Sequence, residues 1–216
     1  MAKIINRLSW GAESFLKENL GLIKEDNFKD FYNKAYSKLS IADIGNLTHF
    51  FLEIKINPLL YMNEVPKYYL GREYSKVIDS IPNLIPDNVT SIGVEAFAKL
   101  WWDSFYVPSN IVEIKNIAFY SSYINHVYLN EGLKSIGNSA FAHSSLNEIS
   151  IPNSVEELGV RCFYSCDELE KVIIGSNVKD LKNNQFGFCM KLNDVTYKAT
   201  IQQLKEIKCS DGEYKL

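Results

Sequence analysis

The second half of the chain repeats itself, and this repetition constrains the fold more than any other feature. A phenylalanine recurs at intervals of 22 or 23 residues, at Phe97, Phe119, Phe141, Phe163 and Phe186. A fixed period between about 20 and 50 residues is typical of solenoids, in which each repeat is one small structural unit. The sequence therefore predicts five stacked repeats of about 22 residues, which together run from Ile85 to Tyr197.

Three further apolar columns accompany the phenylalanines at fixed offsets. The residues that open the repeats are Ile85, Val107, Leu129, Ile151 and Ile174. The two columns before each phenylalanine are Val89, Ile111, Leu133, Val155, Val178 and Ile92, Ile114, Ile136, Leu158, Leu181. One short repeat cannot bury four such side chains by itself, so neighbouring repeats must stack and continue a single core along one axis.

Each repeat is also predicted to contain a strand with one buried face and one exposed face. Phe105, Val127 and Ile149 precede the next opening residue by two positions, and this alternation is typical of a half-buried strand. Stacking places the outward residues of neighbouring strands in register, about 4.8 Å apart. The candidate protein-binding face consists of the outward residues Tyr106, His126, Tyr128, Glu148, Ser150, Lys171 and Ile173. Tyrosine is enriched at binding hot spots, although it is also a common strand residue.

The most regular repeat units carry a resemblance to a known family. They read IPDNVTSIGVEAF, EGLKSIGNSAF and IPNSVEELGVRCF, and two of the phenylalanines are followed by YSC and GFC. These units resemble the BspA-type leucine-rich repeat. The resemblance implies a curved solenoid with a parallel sheet on one side, generally used for binding rather than catalysis. Many members are secreted bacterial surface proteins, whereas short intracellular or phage-encoded members also occur.

The chain is therefore expected to be an α+β repeat protein with three parts. Residues 1–82 lack the repeat and are predicted to form a helical N-terminal cap, residues 83–197 a leucine-rich-repeat-like solenoid, and residues 198–216 a short C-terminal helix and strand cap. The tail VTYKATIQQLKEIKCSDGEYKL is similar to the helix and closing strand that often end such arrays. A solenoid needs caps because its terminal repeats otherwise expose the core.

Capping residues locate the predicted helices within these terminal segments. Ser9, Asp26 and Ser40 are candidate N-caps of three N-terminal helices, with apolar residues at helical spacing after each. Thr200 is the candidate N-cap of a short fourth helix. Its apolar residues Ile201, Leu204 and Ile207 are predicted to cover the last repeat.

Charge and hydropathy exclude several classes of function. The formal net charge is -3, whereas nucleic-acid-binding surfaces need a basic patch. No apolar run reaches the roughly 18 residues of a membrane-spanning helix, and no signal-peptide pattern follows the first residues. The expected location is therefore cytoplasmic or virion-associated.

The residues that usually carry chemistry do not form a recognisable set. His49, His126 and His143 stand in no nucleophile–base spacing, and no common catalytic or phosphate-binding motif occurs. Cys166 and Cys189 occupy a column of small residues three positions after the phenylalanine, which favours core thiols over metal ligands. We therefore expect no enzyme activity, no cofactor, no metal and no small-molecule ligand.

Three functional hypotheses follow from the sequence. The first is a protein-protein interaction module that presents its sheet face to a partner protein. The second is a structural or accessory component of a larger assembly, such as a phage particle or mobile-element complex, anchored by the N-terminal helices. The third is an accessory domain of an enzyme supplied in trans. The rival binding surface is an aromatic stripe at Phe28, Phe31 and Tyr32.

The predicted compartment is reducing, so all four cysteines are expected to be free thiols in the protein from its native source. Alkylation of the unreduced, denatured protein followed by mass spectrometry should show four labels. A chain that carries only two labels, and is two daltons lighter than a reduced chain with two labels, would contradict the prediction.

Overall fold

A computed structural model describes residues 10–20, 28–53, 58–61, 64–65, 85–181, 184–206 and 208–209. Within these ranges a helical segment leads into a solenoid built from two parallel sheets. The N-terminal elements are α1 (Trp10–Glu18), α2 (Phe28–Lys38), α3 (Ile41–Glu53) and a 3-10 helix (Pro58–Tyr61). The C-terminal helix is α4 (Ile201–Glu206).

The solenoid has one sheet of two-residue strands and one sheet of longer strands. The first, called here the short-strand sheet, contains β1 (Glu64–Val65), β2 (Ser91–Ile92), β4 (Glu113–Ile114), β6 (Ser135–Ile136) and β8 (Glu157–Leu158), in that order. The second, the long-strand sheet, contains β3 (Trp101–Tyr106), β5 (Tyr123–Tyr128), β7 (Glu148–Ser150), β9 (Lys171–Ile174) and β11 (Asp194–Tyr197), in that order. β10 (Asp180–Leu181) pairs separately with β12 (Lys208–Cys209).

The phenylalanine column forms the centre of the core, as predicted. Phe97, Phe119, Phe141 and Phe163 are fully buried, and Phe186 is partly buried. Phe141 stacks on Phe119 with ring centroids 4.8 Å apart and on Phe163 with centroids 5.4 Å apart. These rings lie within 7° of parallel, because each occupies the same position in its own repeat.

The sequence analysis missed one core column and one sheet. In the first four repeats a buried side chain also occurs three residues before the inward residue of the long strand, at Trp102, Ile124, Leu146 and Leu169. The short-strand sheet was missed because a strand of two residues carries no alternation of apolar and polar residues.

Tight bends connect the two strands of each repeat. Two residues of each repeat have positive φ, one two positions before the phenylalanine and one two positions after it. They are Glu95, Ile117, Ser139, Arg161, Asn184 and Lys99, Ser121, His143, Ser165, Phe188. The residue that follows the second bend position is small in four of five repeats, and Ser122, Ser144 and Cys166 are buried there. The prediction that Cys166 is a core thiol is therefore confirmed.

The helical segment joins the solenoid through both its backbone and its core. β1 pairs with β2 and thereby extends the short-strand sheet by one strand. The Asn88 side chain donates a hydrogen bond to the carbonyl of Leu59 at 2.8 Å, and Lys115 forms an ion pair with Glu64. One hydrophobic cluster runs from Ala12 in α1 to Val178 in the fifth repeat. The segment therefore covers the N-terminal end of the array.

One of the three predicted N-terminal N-caps lies within the described residues. Ser40 is confirmed as the cap of α3, because its hydroxyl accepts the backbone N–H of Asp43 at 3.2 Å. Ser9 and Asp26 lie outside the described residues, as does the predicted boundary at residues 82 and 83.

The C-terminal helix has the predicted cap but not the predicted packing. Thr200 accepts the backbone N–H of Gln203 at 3.2 Å, and the Gln203 side chain accepts the backbone N–H of Thr200 at 2.8 Å. This reciprocal pair is a capping box. The expectation that Ile201 covers the last repeat is wrong, because its side chain is 77% exposed. Ile207 and the side chain of Leu204 lie outside the described residues.

The stacked core predicts a large difference between two substitutions in the middle of the array. Phe141→Ala should destabilise the protein by about 3 to 5 kcal/mol, because it leaves a cavity between two stacked rings. Ser150→Ala, on an exposed position of β7, should change stability by less than about 0.5 kcal/mol. Urea unfolding measures both. Equal shifts of the two midpoints would show that the assignment of buried and exposed columns is wrong.

Candidate protein-binding face

The structure brings all seven residues of the candidate face onto the outer surface of the long-strand sheet. Two adjacent columns hold them. In one column Tyr106 is paired with Tyr128, and Ser150 with Ile173. The other column runs through His126, Glu148 and Lys171 and ends at Asp194. Parallel pairing without a register shift produces these columns, so the placement follows directly from the repeat.

The tyrosine pair is the most exposed apolar feature of these columns. Tyr106 is 69% exposed and Tyr128 46% exposed. Their rings stack with centroids 4.4 Å apart and an interplanar angle of 13°. His126 lies beside them, with its ring centroid 6.4 Å from that of Tyr128. Each ring restricts the other, so the pair presents a flat and ordered aromatic surface.

A second exposed aromatic pair on the same two strands was missed by the sequence analysis. Trp101 is 60% exposed, Tyr123 is 52% exposed, and their ring centroids are 4.5 Å apart. Between the two pairs, Asp103 and Ser104 are both unburied, so the simple alternation along β3 is interrupted. The signal was nevertheless present, since the two aromatic residues are 22 positions apart at equivalent places in the first two repeats.

A carboxylate lies between the two aromatic pairs. Asp103 accepts a hydrogen bond from the side chain of Asn125 at 2.9 Å and another from Ser104 at 3.1 Å. These two hydrogen bonds, first that of Asn125, lower the pKa of Asp103 below its ordinary value. The group therefore remains charged at neutral pH. These residues of β3 and β5 form the aromatic end of the face, which comprises Trp101, Asp103, Tyr106, Tyr123, Asn125, His126 and Tyr128.

Some charged side chains beyond the aromatic end form ion pairs between neighbouring repeats. Lys171 pairs with Asp194 at 3.4 Å in the next repeat, and Lys191 pairs with Glu168 at 2.5 Å. Both partners of each pair are about half exposed, so each pair contributes little to stability. Within the described residues, Asp103 and Glu148 have no such lysine or arginine partner.

A shallow depression continues from the aromatic end toward the middle of the sheet. It has a volume of about 270 Å³ and is lined by residues that include His126, Tyr128, Glu148, Lys171 and Ile173. A second depression, of about 360 Å³, lies on the short-strand sheet and is lined mainly by polar residues such as Glu113, Asn116 and Asn138.

A further aromatic row follows the bend of the solenoid, away from the sheet face. His143 contacts Tyr120 and Tyr164 edge to face, with ring centroids 5.3 and 5.8 Å apart. Tyr164 in turn contacts Phe188, which is 65% exposed. The sequence analysis did not identify this row, although its members also stand at repeat-related positions.

Neither metal-binding clusters nor membrane-spanning helices occur in the part of the chain that the structure describes. No three His, Cys, Asp or Glu side chains there come together at metal-binding distance. None of the described helices is long and apolar enough to cross a bilayer. The rival stripe in α2 is largely internal, since Phe31 and Tyr32 are buried. The side chain of Phe28 lies outside the described residues.

Comparison with protein families gives one match. The family described as BspA type leucine rich repeat region matches residues 90–209 in six copies. This is one copy more than the five repeats read from the phenylalanine column. The match extends past the fifth repeat to the end of β12, whose pairing with β10 carries the stacking beyond Tyr197. Comparison with curated proteins finds no match.

Solved structures of bacterial leucine-rich repeat proteins are similar to the solenoid. A leucine rich cell surface protein from Faecalibacterium prausnitzii has a TM-score of 0.55 and 27% identity, over 59% of this chain and 35% of its own. A leucine rich repeat protein of T. pallidum has a TM-score of 0.47 and 30% identity, over 52% of this chain and 55% of its own. The matched part thus spans about a third to a half of the length of these relatives.

The stacked tyrosines predict an unusual titration that needs no partner to measure. Partial desolvation, followed by the effects of Tyr106, Glu148 and Asp103, raises the pKa of Tyr128. The neutral phenol of Tyr128 should therefore persist to higher pH than that of a free tyrosine. Tyr106→Phe should lower the pKa of Tyr128 because it removes a neighbouring hydroxyl. NMR of tyrosine labelled at Cζ follows the titration, and Tyr123→Phe is the control. An unchanged Tyr128 titration in Tyr106→Phe would contradict the arrangement.

Proposed function

The chain belongs to the BspA-type leucine-rich repeat family, and from this premise we propose that it is a protein-binding module that docks a partner on its long-strand sheet. The observation that carries the proposal is the aromatic end, where one stacked and one tilted aromatic pair stand exposed on the long-strand sheet. Solenoids commonly bind partners on such extended surfaces. Catalysis is not part of the proposal, since the family and fold are generally non-enzymatic.

Rigid aromatic side chains suit the centre of a binding surface. Binding costs free energy whenever flexible side chains become fixed, at about 0.5 to 1.5 kcal/mol for each. Tyr106 and Tyr128 already restrict each other by stacking, so little additional conformational freedom is lost when a partner covers them. A few such anchors usually carry most of the binding energy, while surrounding contacts exclude water. The self-paired charges at Lys171 and Asp194 fit the role of a surrounding rim.

The charge of the aromatic end favours a basic segment of the partner. Asp103 is held in its charged form by two hydrogen bonds. Glu148 is paired with His126, in the column next to that of the two tyrosines. A lysine or arginine side chain can stack on exposed tyrosine rings through a cation–π interaction. Complementary charge also accelerates association and makes it dependent on salt. We therefore expect the partner to present a basic side chain to the tyrosine pair.

The test is the affinity of a partner captured from the native host. Tyr106→Ala and Tyr128→Ala should each weaken binding by at least about 1 kcal/mol without lowering the melting temperature. Asp103→Asn should weaken it mainly at low salt, because screening removes the same interaction at high salt.

Matched controls separate the face from the rest of the surface. Tyr164→Ala removes a tyrosine on the bend row, and Glu156→Ala and Lys179→Ala remove charges away from the long-strand sheet. None of the three should change the affinity. The proposal fails if the two sheet tyrosines are silent while a change such as Trp10→Ala in the helical segment abolishes capture. In that case the solenoid is a spacer and the helices bind.

The alternative function, a component of a larger assembly anchored by the N-terminal helices, gains no specific support. Two of the three residues of the rival aromatic stripe in these helices, Phe31 and Tyr32, are part of the core. Sedimentation of the purified protein distinguishes the alternatives, because a monomer fits a module and a ring or polymer fits an assembly component. The proposed cytoplasmic or virion-associated location is tested separately by fractionation of the native source.

A further inference from the structure

A column of small polar side chains runs inside the bend of the solenoid, three residues after each phenylalanine. From the second repeat onward its members are Ser122, Ser144, Cys166 and Cys189. The hydroxyl of Ser144 lies 3.3 Å from the thiol of Cys166. Ser144 and Cys166, which stand 22 residues apart, are therefore in direct contact.

Cys166 and Cys189 occupy equivalent places in the fourth and fifth repeats. The Cys166 thiol donates to the carbonyl of Phe141 at 3.1 Å, and the Cys189 thiol donates to the carbonyl of Phe163, also at 3.1 Å. Each thus makes the same contact to the phenylalanine of the preceding repeat. Parallel stacking separates equivalent backbone positions by about 4.8 Å. The backbone N–H of Ser165 donates to the carbonyl of Gly187 at 2.7 Å, so the two repeats are hydrogen-bonded to each other next to the cysteines. The corresponding spacing falls within the Cα–Cα range of about 4.4 to 6.8 Å that a disulfide needs.

The two thiols differ in accessibility and in acidity. Cys166 is completely buried, whereas Cys189 is partly exposed. Interaction with the Cys166 thiol lowers the pKa of Cys189, and interaction with the Cys189 thiol together with burial raises the pKa of Cys166. The thiolate is the nucleophile in disulfide exchange. Cys189 is therefore the group that an oxidant in solution meets first and the one better able to react.

We propose that Cys166 and Cys189 form a redox-active pair that a low-molecular-weight disulfide converts into an intramolecular disulfide linking the fourth and fifth repeats. In the first step the Cys189 thiolate attacks one sulfur of the small disulfide and releases one thiolate. In the second step Cys166 loses its proton and attacks Cys189 Sγ, which releases the second thiolate. The protein pair loses two electrons and two protons, and the small disulfide becomes two thiols.

The linkage would act where the array is least protected. In the fifth repeat Val195 occupies a column whose members are buried in the four preceding repeats, yet it is 50% exposed. Met190 and Phe188 are more exposed still. Terminal repeats open more readily than internal ones, because each repeat contacts only its neighbours. A covalent link between the fourth and fifth repeats therefore stabilises the array close to its C-terminal end.

The experiment treats the full, reduced chain with oxidised glutathione. The expected product is two daltons lighter, contains a Cys166–Cys189 cross-linked peptide, reverts with reductant and melts about 5 °C higher than the reduced protein. Cys166→Ser should instead retain glutathione on Cys189, since no second thiol is present to displace it. Cys189→Ser should carry no glutathione on Cys166. Serine occupies the same column at Ser122 and Ser144, so both variants should fold.

Cys162→Ala is the matched control, because alanine holds the equivalent position at Ala96, Ala118 and Ala140. This variant should form the cross-link as the unchanged chain does. Stable glutathione on Cys189 of the unchanged chain, a cross-link that involves Cys162 or Cys209, or an unaltered mass would each overturn the proposal.

Discussion

The stacking of one phenylalanine on the next is the interaction on which the rest of the structure depends. No repeat has a second layer of its own to cover its ring, so each ring is covered by the equivalent rings of the neighbouring repeats, as Phe141 is by Phe119 and Phe163. From Phe119 to Phe186 the rings lie nearly parallel, which requires that these repeats superimpose closely on one another. The same constraint sets the register of both sheets. In each repeat, short and tight bends on either side of the phenylalanine connect it to the two strands.

Because the register between repeats is constant, residues that are one sequence period apart form columns on the surface. Residues 22 positions apart become neighbours, which brings Tyr106 beside Tyr128 and Trp101 beside Tyr123. The rule applies equally inside the bend, where it brings Cys166 beside Cys189 in the column that Ser122 and Ser144 begin. The proposed binding face and the proposed thiol pair are thus two products of one geometry. What differs is exposure, since the outer columns meet solvent and the inner column meets the backbone carbonyls of the preceding repeat.

The apolar core is covered differently at the two ends of the array. At the N-terminal end a strand, β1, continues the short-strand sheet, and the helices extend the core beyond the first repeat. At the C-terminal end Val195 and Ile201 are largely exposed. Among the described residues, the fifth repeat therefore leaves its inward strand residue more exposed than the four repeats before it do. The aromatic end lies in the first two repeats, close to the end that the helical segment covers.

The sequence by itself determined the solenoid, its period, the four apolar columns and the seven residues of the candidate face, because each depends only on periodicity and alternation. Tertiary structure decided what periodicity does not encode. Two-residue strands show no alternation, so the short-strand sheet and its extension by β1 could not be predicted. The interruption at Asp103 and Ser104 hid the column of Trp102 and the outward position of Trp101. The exposure of Ile201 was equally hidden, since the side of a short helix that packs inward depends on where its neighbours lie and not on its own residues.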